Sequence, residues 1–270
     1  MKQANNRHSF ERFARQSFYT AVNQRLLDLI SLSKGATVVD LGCGTGTITK
    51  LLLTMGKRLT VIAVDPSPRM LEEAKRNLGE AARGVIFIRA RAEELSKHLP
   101  EKADALVFCN AIHMVHDKAV VIKEISKVLQ AHGQFAFNTA FFDGAMPPPS
   151  LAFYRKLMLK TVRTLKSRYD VKHHKAERTE ARRLLTPQEY GDLISAHGFR
   201  VRSQEVVEVE MPPEAVQAIL EFDDFLVGAL PGVPLSVASA ALKAAAAEAL
   251  TELGMQGLPR NWLQIVAEKA

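Results

Sequence analysis

Apolar residues recur in two alternating patterns along roughly the first half of the chain. Amphipathic spacing predicts one or two helices before Ile30, and further helices at about 47–53, 68–78 and 118–129. Short apolar runs between the helices predict five strands, at 37–41, 60–64, 85–89, 105–109 and 133–139. Because strands and helices alternate, we expect a mostly parallel sheet that is covered by helices on both faces.

The regular alternation stops beyond about residue 145, and the pattern becomes mainly helical. Two strands are still predicted, at 199–209 and 261–267, which brings the number of strands to seven. Helices are predicted at about 150–167, at 186–197 and, with breaks near Pro231 and Pro234, at 214–253. The chain is therefore α/β, with helical additions before the sixth strand and between the sixth and the seventh.

The most informative motif joins the first strand to the next helix and reads Val-Val-Asp-Leu-Gly-Cys-Gly-Thr-Gly over residues 38–46. Glycines permit a tight turn and let a ligand approach the backbone, which favours a nucleotide-like cofactor. A dinucleotide-binding turn requires a glycine one position later, where this chain has Thr47. A carboxylate before the first glycine disfavours a diphosphate and favours a ligand that carries an ammonium group. The candidate cofactor-binding residues of this motif are Asp40, Gly42, Cys43, Gly44 and Gly46.

A second acid, Asp65, ends the second predicted strand at about 20 residues past the glycines. An acid there can accept hydrogen bonds from both hydroxyls of a ribose. Pro66 follows it, and Ser67 is the predicted cap of the next helix, which leaves the Asp65 carboxylate for a ligand. Met70, at the first turn of that helix, either lies against an adenine face or packs in the core.

These phrases resemble a known family. Residues 40–46 resemble motif I of the class I S-adenosylmethionine-dependent methyltransferases, and the phrase from Val64 to Leu71 resembles motif II. The phrase Asn110-Ala111-Ile112-His113 resembles the ubiquinone- and menaquinone-type members, and the resemblance covers about residues 35–140. It implies S-adenosylmethionine as the cofactor and a Rossmann-like seven-stranded sheet, mostly parallel with the last strand antiparallel. It also implies that the helical additions form a cap over the carboxyl ends of the strands.

The same resemblance implies roles for residues outside the glycine motif. Ala92 and Glu93 are expected to hold the adenine, and Asn110 is expected to face the methionine half of the cofactor. His113 is the candidate general base for an acceptor hydroxyl or acidic carbon, with His116 in reserve, although a single loop histidine is often structural. Four aromatic residues are candidates for contact with the acceptor, with packing in the core as the alternative: Tyr19, Phe141, Phe142 and Tyr154.

The length of 270 residues suits a single methyltransferase domain over 1–270. Within it we expect N-terminal helices at 1–34, a cofactor-binding core at 35–144, and cap insertions at 145–186 and 211–258. No apolar run approaches the ~18 residues of a membrane span. The two cysteines, Cys43 and Cys109, are expected to be small core residues, and a cytoplasmic location follows.

Positive charge is concentrated in one segment. The net charge is +7, and residues 155–183 contain 11 Lys or Arg and 3 Asp or Glu, so the remainder is close to neutral. This segment is either a solvated helix face or a surface that attracts an anionic substrate, an acidic carrier protein or a nucleic acid. His173 and His174 are adjacent, but no further ligand stands at a suitable spacing, so no metal site is predicted.

The leading functional hypothesis is methyl transfer to an oxygen or carbon of a small, partly apolar acceptor, such as a secondary metabolite, a lipid or a quinone-like compound. An anionic or carrier-bound acceptor would suit the basic segment. The second hypothesis is an RNA or protein methyltransferase, which rests on that segment alone. A nucleic-acid partner is disfavoured because the loop at 110–113 lacks the Asn/Asp-Pro-Pro-Tyr/Phe phrase of amino-methylating enzymes. The third is a cofactor-binding member with a non-methylating or scaffolding role.

Overall fold

The structure is a computed structural model that describes residues 11–99, 101–171 and 184–270. The chain divides into two compact units. The sheet unit comprises the described parts of 20–145, 184–207 and 261–270, and the helical unit comprises the described parts of 1–19, 146–183 and 208–260. Part of the basic segment, with His173 and His174, lies outside the described residues.

Seven strands form one sheet, as the sequence predicted. They are β1 Thr37–Leu41, β2 Thr60–Val64, β3 Val85–Ile88, β4 Ala103–Cys109, β5 Leu129–Thr139, β6 Phe199–Met211 and β7 Leu258–Lys269. Their order across the sheet is β3-β2-β1-β4-β5-β7-β6. The strands β1 to β5 pair in parallel, whereas β7 runs antiparallel to β5. The carboxyl ends of the five parallel strands therefore lie along one edge of the sheet, where α/β folds bind their ligands.

The helices follow the strands in the predicted alternation. They are α1 Glu11–Ala14, α2 Ser17–Asp28, α3 Thr47–Thr54, α4 Pro68–Leu78, α5 Lys118–Val128, α6 Pro148–Tyr169, α7 Pro187–Ser195, α8 Pro213–Ile219, α9 Asp223–Ala229 and α10 Leu235–Glu252. Short 3₁₀ helices lie at Gly79–Gly84, Ala92–Lys97 and Ile112–Met114. The Ser67 hydroxyl caps α4 by accepting a hydrogen bond from the Met70 amide, which confirms the predicted cap.

Two apolar layers cover the two faces of the sheet. Successive side chains of a strand point to opposite faces, so Val38 and Val39 of β1 belong to different layers. The layer of Val38 includes Leu26 of α2 and Leu52 of α3. Asp40 shares the face of Val38, so its carboxyl group lies on the side of the sheet that α3 covers. This placement puts a buried acid beside the start of the glycine motif.

The helical unit is built around two long helices, α6 and α10. Lys160 of α6 forms salt bridges with Glu248 and Glu252 of α10, at 2.8 and 2.6 Å. The buried side of α10 is rich in alanine, and such small side chains permit close helix packing: Ala238, Ala241, Ala245, Ala246 and Ala249. Within the described ranges, no helix is long and apolar enough to cross a membrane.

The structure also differs from the sequence-based expectations in element length. The strand β5 begins at Leu129 rather than near Gly133, and β7 extends beyond the predicted range at both ends. The region expected as a helix from 214 to 253 is also broken between α8 and α9. There the Ser239 hydroxyl donates a hydrogen bond to the Leu220 carbonyl oxygen at 2.8 Å. Carbonyl groups at the end of a helix lack partners within the helix, and this bond supplies one. A partner that is distant in sequence leaves no signal at the break itself.

Candidate functional site

The glycine motif forms a tight turn between β1 and α3. The Cys43 amide donates to the Val64 carbonyl oxygen of β2 at 3.0 Å, which fixes the turn to the neighbouring strand. Gly42 has φ of 66°, and a Cβ on it would lie 3.1 Å from the Ala111 Cβ, so this position has no room for a side chain. Gly44 has φ of 52°, and a Cβ on it would lie 4.0 Å from the Gly42 carbonyl oxygen, so this position is less crowded and a ligand could approach its backbone. Gly46, with φ of 86°, leads into α3.

Asp65 links the two predicted cofactor motifs directly. Its carboxylate accepts hydrogen bonds from the Gly44 amide at 3.0 Å and from the Ser67 amide at 2.9 Å. Burial raises the pKa of Asp65, while these two hydrogen bonds act in the opposite direction. Each carboxylate oxygen keeps a second lone pair, so the group that shapes the glycine turn can still accept ribose hydroxyls.

Asp40 is almost completely buried, with 1% of its surface exposed. The Thr49 hydroxyl of α3 donates to its Oδ2 at 2.6 Å, whereas its Oδ1 is buried and has no hydrogen-bond partner among the described residues. Burial raises the pKa of Asp40 to about 7, against the opposing effect of the Thr49 hydrogen bond. A buried carboxylate oxygen without a partner is unfavourable, and a cationic donor would relieve it.

The loop after β4 is held by buried amides. Asn110 has a positive φ of 48°. Its backbone N–H donates to both the carbonyl oxygen and the Oδ1 of Asn138, each at 2.9 Å. The Asn110 Oδ1 accepts from the Ala140 amide at 3.1 Å. Asn138 in turn donates to the Asn23 Oδ1 of α2 at 2.8 Å. Because Ala111 packs against Gly42, this loop lies next to the glycine turn.

His113 is partly buried on that loop and has defined contacts. Its Nδ1 lies 3.1 Å from the Thr139 Oγ1 at the end of β5, and its ring stacks on Phe141 with 4.2 Å between centroids. Thr139 Oγ1 also accepts a hydrogen bond from the Phe141 amide at 3.0 Å. His116 is exposed, three residues further on. The geometry therefore favours His113 over His116 as the residue held in a fixed orientation.

The residues expected around adenine lie at the surface of the sheet unit or just below it. Ala92 is buried at the start of its 3₁₀ helix, and the partly buried Glu93 carboxylate lies 3.7 Å from the Arg91 guanidinium. Pro66 is exposed and Met70 is partly buried. No hydrogen bond of the described residues joins Glu93 to Asp65, so their common role stays a prediction.

Cys43 and Cys109 are both buried and unpaired by any disulfide. Burial, reinforced by the nearby Asp40, raises the pKa of each thiol, which stays protonated near neutral pH. This chemistry fits their expected role as small core residues. Among the residues that the structure describes, no three His, Cys, Asp or Glu side chains are grouped so that they could hold a metal ion.

The aromatic candidates have different environments. Phe141 is exposed to 38% beside His113, whereas Phe142 is buried in the core of the sheet unit. In the helical unit, Tyr19 is buried with its ring edge-on to Phe13. Tyr154 packs edge-on against Phe153, and burial raises its pKa while the nearby Arg260 acts in the opposite direction. Direct contact with an acceptor therefore remains a prediction for all four.

Sequence reasoning missed several polar residues that are buried in this part of the chain. Asn23, Asn138 and Thr139 organise the loop of Asn110 and His113, and each is fully buried. Gln264 of β7 donates to the Val22 carbonyl oxygen at 2.6 Å, while its Oε1 is buried and accepts no hydrogen bond from the part of the chain that the structure describes. The sequence did contain one sign of these buried groups. Asn138 and Gln264 each place a side-chain amide within an otherwise apolar predicted strand.

The groups in the sheet unit fit a cofactor that carries an ammonium and a ribose without a phosphate. The unpartnered Oδ1 of Asp40 suits the ammonium, and the Asp65 carboxylate suits the ribose hydroxyls. The open side of Gly44 provides backbone for close approach. Two buried carboxyl groups beside the turn oppose a diphosphate, because they would repel its charge.

Comparison with known proteins gives the same interpretation. Residues 38–133 match a family model described as a methyltransferase domain. An uncharacterized methyltransferase from Geobacillus thermodenitrificans is 31% identical over 181 residues, 66% of this chain and 75% of the relative. A trans-aconitate 2-methyltransferase from Methylobacterium nodulans is 40% identical over 87 residues, 32% of this chain and 31% of the relative. A malonyl-[acyl-carrier protein] O-methyltransferase from Ilyobacter polytropus is 28% identical over 127 residues, 45% of this chain and 46% of the relative.

The chain thus matches less than half the length of several curated relatives. Solved structures share its fold at low sequence identity. A cyclopropane synthase from Mycobacterium tuberculosis has a TM-score of 0.58 at 16% identity, with 97% of this chain and 89% of that chain covered. A phosphoethanolamine N-methyltransferase from Haemonchus contortus, solved with S-adenosylhomocysteine, has a TM-score of 0.58 at 17% identity, with 96% and 56% covered.

Proposed function

Because this chain belongs to the class I S-adenosylmethionine-dependent methyltransferases, we propose that it transfers a methyl group to a small, partly apolar and anionic acceptor. The acceptor is either free or carried as a thioester on an acidic carrier protein, and the methyl group goes to oxygen or carbon. The observation that carries this proposal is the close packing of Gly42 against Ala111. A Cβ placed on Gly42 would lie 3.1 Å from the Ala111 Cβ. That contact joins the glycine turn to the loop of His113.

S-adenosylmethionine supplies a methyl group that is already activated on a sulfonium, so the protein's tasks are orientation and exclusion of water. We assign the ammonium group to the buried Asp40 and the ribose to Asp65. Glu93 and Ala92 are assigned to the adenine, with Met70 beside it. Asn110 borders the methionine half, because its loop is fixed by Asn138 and Ala140.

His113 is proposed as the general base. The base role requires the tautomer in which Nδ1–H donates to the Thr139 Oγ1, so that the other ring nitrogen, Nε2, takes the proton of the acceptor. Stacking on Phe141 keeps the plane of the imidazole in one orientation. A fixed imidazole near neutral pH suits removal of a proton from a hydroxyl or an acidic carbon.

The nature of the acceptor is inferred from the surroundings of His113 and from two relatives. Phe141 and Met114 next to His113 are 38% and 53% exposed, which provides apolar surface for an acceptor. The names of two relatives, a trans-aconitate methyltransferase and a malonyl-[acyl-carrier protein] methyltransferase, both specify a carboxylate-bearing acceptor. Together these observations favour a carboxylic acid or its carrier-bound thioester.

The test is a methyl-transfer assay with labelled S-adenosylmethionine, in which free trans-aconitate, a malonyl thioester on a carrier protein and bulk RNA are offered in parallel. We expect a mass increase of one methyl group on an acid or thioester and none on RNA. With an acceptor that reacts at an acidic carbon or a hydroxyl, His113→Ala is expected to lower turnover at least about a hundredfold with unchanged cofactor affinity. A carboxylate oxygen is already ionised near neutral pH, so its methylation needs no base. His98→Ala, an exposed histidine on another loop, is the matched control.

Other outcomes identify the alternatives. Methylation of RNA or protein would favour the second functional class, and tight cofactor binding without transfer to any acceptor class would favour a non-methylating role. If His113→Ala and the wild type had equal turnover, His113 would not be the general base. Loss of turnover in His116→Ala alone would transfer that role to His116.

A further inference from the structure

The helix α6 contains six basic residues and no acidic residue over its 22 positions. Two of the six, Lys156 and Lys160, are neutralised within the helical unit. Lys156 forms a salt bridge with Glu252 at 2.6 Å, and Lys160 bridges Glu248 and Glu252. These two lysines therefore serve the packing of α6 against α10.

A second set of cations on α6 has no such partner. The other four basic residues, Arg155, Arg163, Lys166 and Arg168, are exposed, and no ion pair or hydrogen bond joins their side chains to any other described residue. The buried residues Phe153, Leu157 and Thr161 define the packed side of the helix. At 100° per residue, Arg155, Arg163 and Lys166 lie on the opposite side, whereas Arg168, near the end of the helix, does not.

Exposed apolar side chains alternate with these cations. Leu159 is 64% exposed, Tyr169 is 40% exposed and Val162 is 39% exposed. With the three cations they form one face about 21 Å long, at 1.5 Å per residue. We call this face the basic–apolar stripe: Arg155, Leu159, Val162, Arg163, Lys166 and Tyr169. A solvated helix face does not need three large apolar side chains beside its charges.

We propose that the basic–apolar stripe is a docking surface for an acidic helix of the carrier protein that presents the acceptor. This inference rests on the proposed function, because a carrier is needed only if the acceptor is a thioester. Acidic side chains of the partner would pair with the three cations, while apolar side chains of the same helix would cover Leu159 and Val162. Complementary charge steers the encounter, and the apolar contacts add affinity that a charge pair at the surface does not supply.

The alternation of charge and apolar surface favours an acidic protein over other anions. An RNA backbone would pair with the cations but would leave Leu159 and Val162 without apolar partners. Each basic residue near an anionic membrane contributes only about 1 kcal/mol to the free energy of binding, and the stripe has three basic residues. A helix with acidic and apolar residues on one face matches both components of the stripe.

The test compares two sets of charge reversals in the full chain. The stripe variant carries Arg155→Glu, Arg163→Glu and Lys166→Glu. The control variant carries Lys34→Glu, Arg58→Glu and Lys123→Glu, which change the net charge equally at exposed, unpaired sites of the sheet unit. Each is titrated with a fluorescent acyl-carrier protein that bears a malonyl thioester, and kcat/KM is measured with that carrier and with the same thioester on free pantetheine.

We expect the stripe variant to lose at least about tenfold in carrier affinity and in kcat/KM with the carrier. Its kcat/KM with the pantetheine thioester should match the wild type, and the control variant should change by less than about twofold in both assays. The wild-type affinity should fall as salt is raised, because exposed charges are screened.

Equal carrier affinity of the stripe and control variants would overturn the docking proposal, and so would tighter wild-type binding to RNA or to anionic vesicles than to the carrier. The proposed function fails separately, when the wild type methylates neither thioester. The binding titration is independent of turnover, so it still decides the docking proposal in that case. Circular dichroism of each variant verifies that the helices are intact.

Discussion

The charged residues that are proposed to bind a ligand or a partner differ between the sheet unit and the helical unit. In the sheet unit, Asp40 and Asp65 are buried and bonded to a hydroxyl or to backbone amides. In the helical unit, Lys160 and Glu252 meet at the surface, and the free cations of α6 are exposed. Buried charges require defined partners and hence specify a ligand closely, whereas exposed charges specify only the sign of a partner. This difference explains why the methyl donor is easier to infer than the acceptor.

The largest expected effect comes from removing the acid that connects the two cofactor motifs. Asp65→Ala deletes the acceptor of the Gly44 and Ser67 amides and the proposed ribose ligand. Because hydrogen bonds to charged groups contribute about 1.5–3 kcal/mol each, cofactor affinity should fall at least about a hundredfold. Isothermal titration with S-adenosylhomocysteine measures this loss. Glu80→Ala, which removes an exposed acid paired with Arg83, is the control, and equal affinity of the two variants would contradict the assignment.

Asp40→Asn should weaken cofactor binding about tenfold, because it removes one charged hydrogen bond to the ammonium group. It should also change the pH dependence of stability. Burial raises the pKa of Asp40 to about 7 in the folded chain. The folded state therefore keeps a proton that the unfolded chain releases, so wild-type stability falls as pH rises from about 4 to about 7 and stays lower above that. Urea unfolding at pH 5 and pH 8 should show a smaller decline in the variant. An identical decline would remove Asp40 as the cause.

A smaller effect is expected from the positioning of His113. Thr139→Val removes the hydroxyl at 3.1 Å from the His113 Nδ1 while keeping the shape of the side chain. We expect kcat to fall about tenfold, with a shifted pH profile and an unchanged KM for the cofactor, because the imidazole loses its orientation. Thr139→Ser should restore most of the activity. A fall in thermal stability without a change in the pH profile would instead indicate a structural role.

The smallest effect is expected in the helical unit. Lys160→Met removes two salt bridges between α6 and α10 but keeps a long side chain. Exposed ion pairs contribute little, so the midpoint of thermal unfolding should fall by only a few degrees at pH 7. Lys156 and Lys160 lower the pKa of Glu252 to about 2, so their stabilisation is lost as pH falls from about 4.5 towards 2. Cofactor affinity should not change. A change would contradict the assignment of cofactor binding to the sheet unit alone.

The elements that carry the cofactor motifs were predictable because their signals are local. The bounds of β1 and β2 agree with the predicted strands at both ends, since apolar runs stop at polar residues or glycine. The Ser67 cap and the proline at the first position of α4 likewise depend on neighbours in sequence. The same holds for the glycine turn and for the position of Asp65 directly after β2, whereas the contact of Asp65 with a ribose stays a prediction.

The parts that could not be predicted depend on contacts between distant residues. The hydrogen bond from Asn138 to Asn23 joins residues more than a hundred positions apart, so neither asparagine was recognised as support for the His113 loop. The break after α8 depends on Ser239, and the salt bridges that separate two kinds of lysine on α6 depend on α10. Local patterns gave the charge of the basic segment but not which of its cations are free.

Calorimetric titration with S-adenosylmethionine, with NAD as the competing ligand, tests the central claim most directly. We expect saturable binding of one S-adenosylmethionine per chain that disappears in Asp65→Ala, and no measurable binding of NAD. The buried carboxyl group of Asp40 and the missing glycine at Thr47 are the reasons for this preference. Binding of NAD that depends on Asp65, or an absence of S-adenosylmethionine binding, would contradict it.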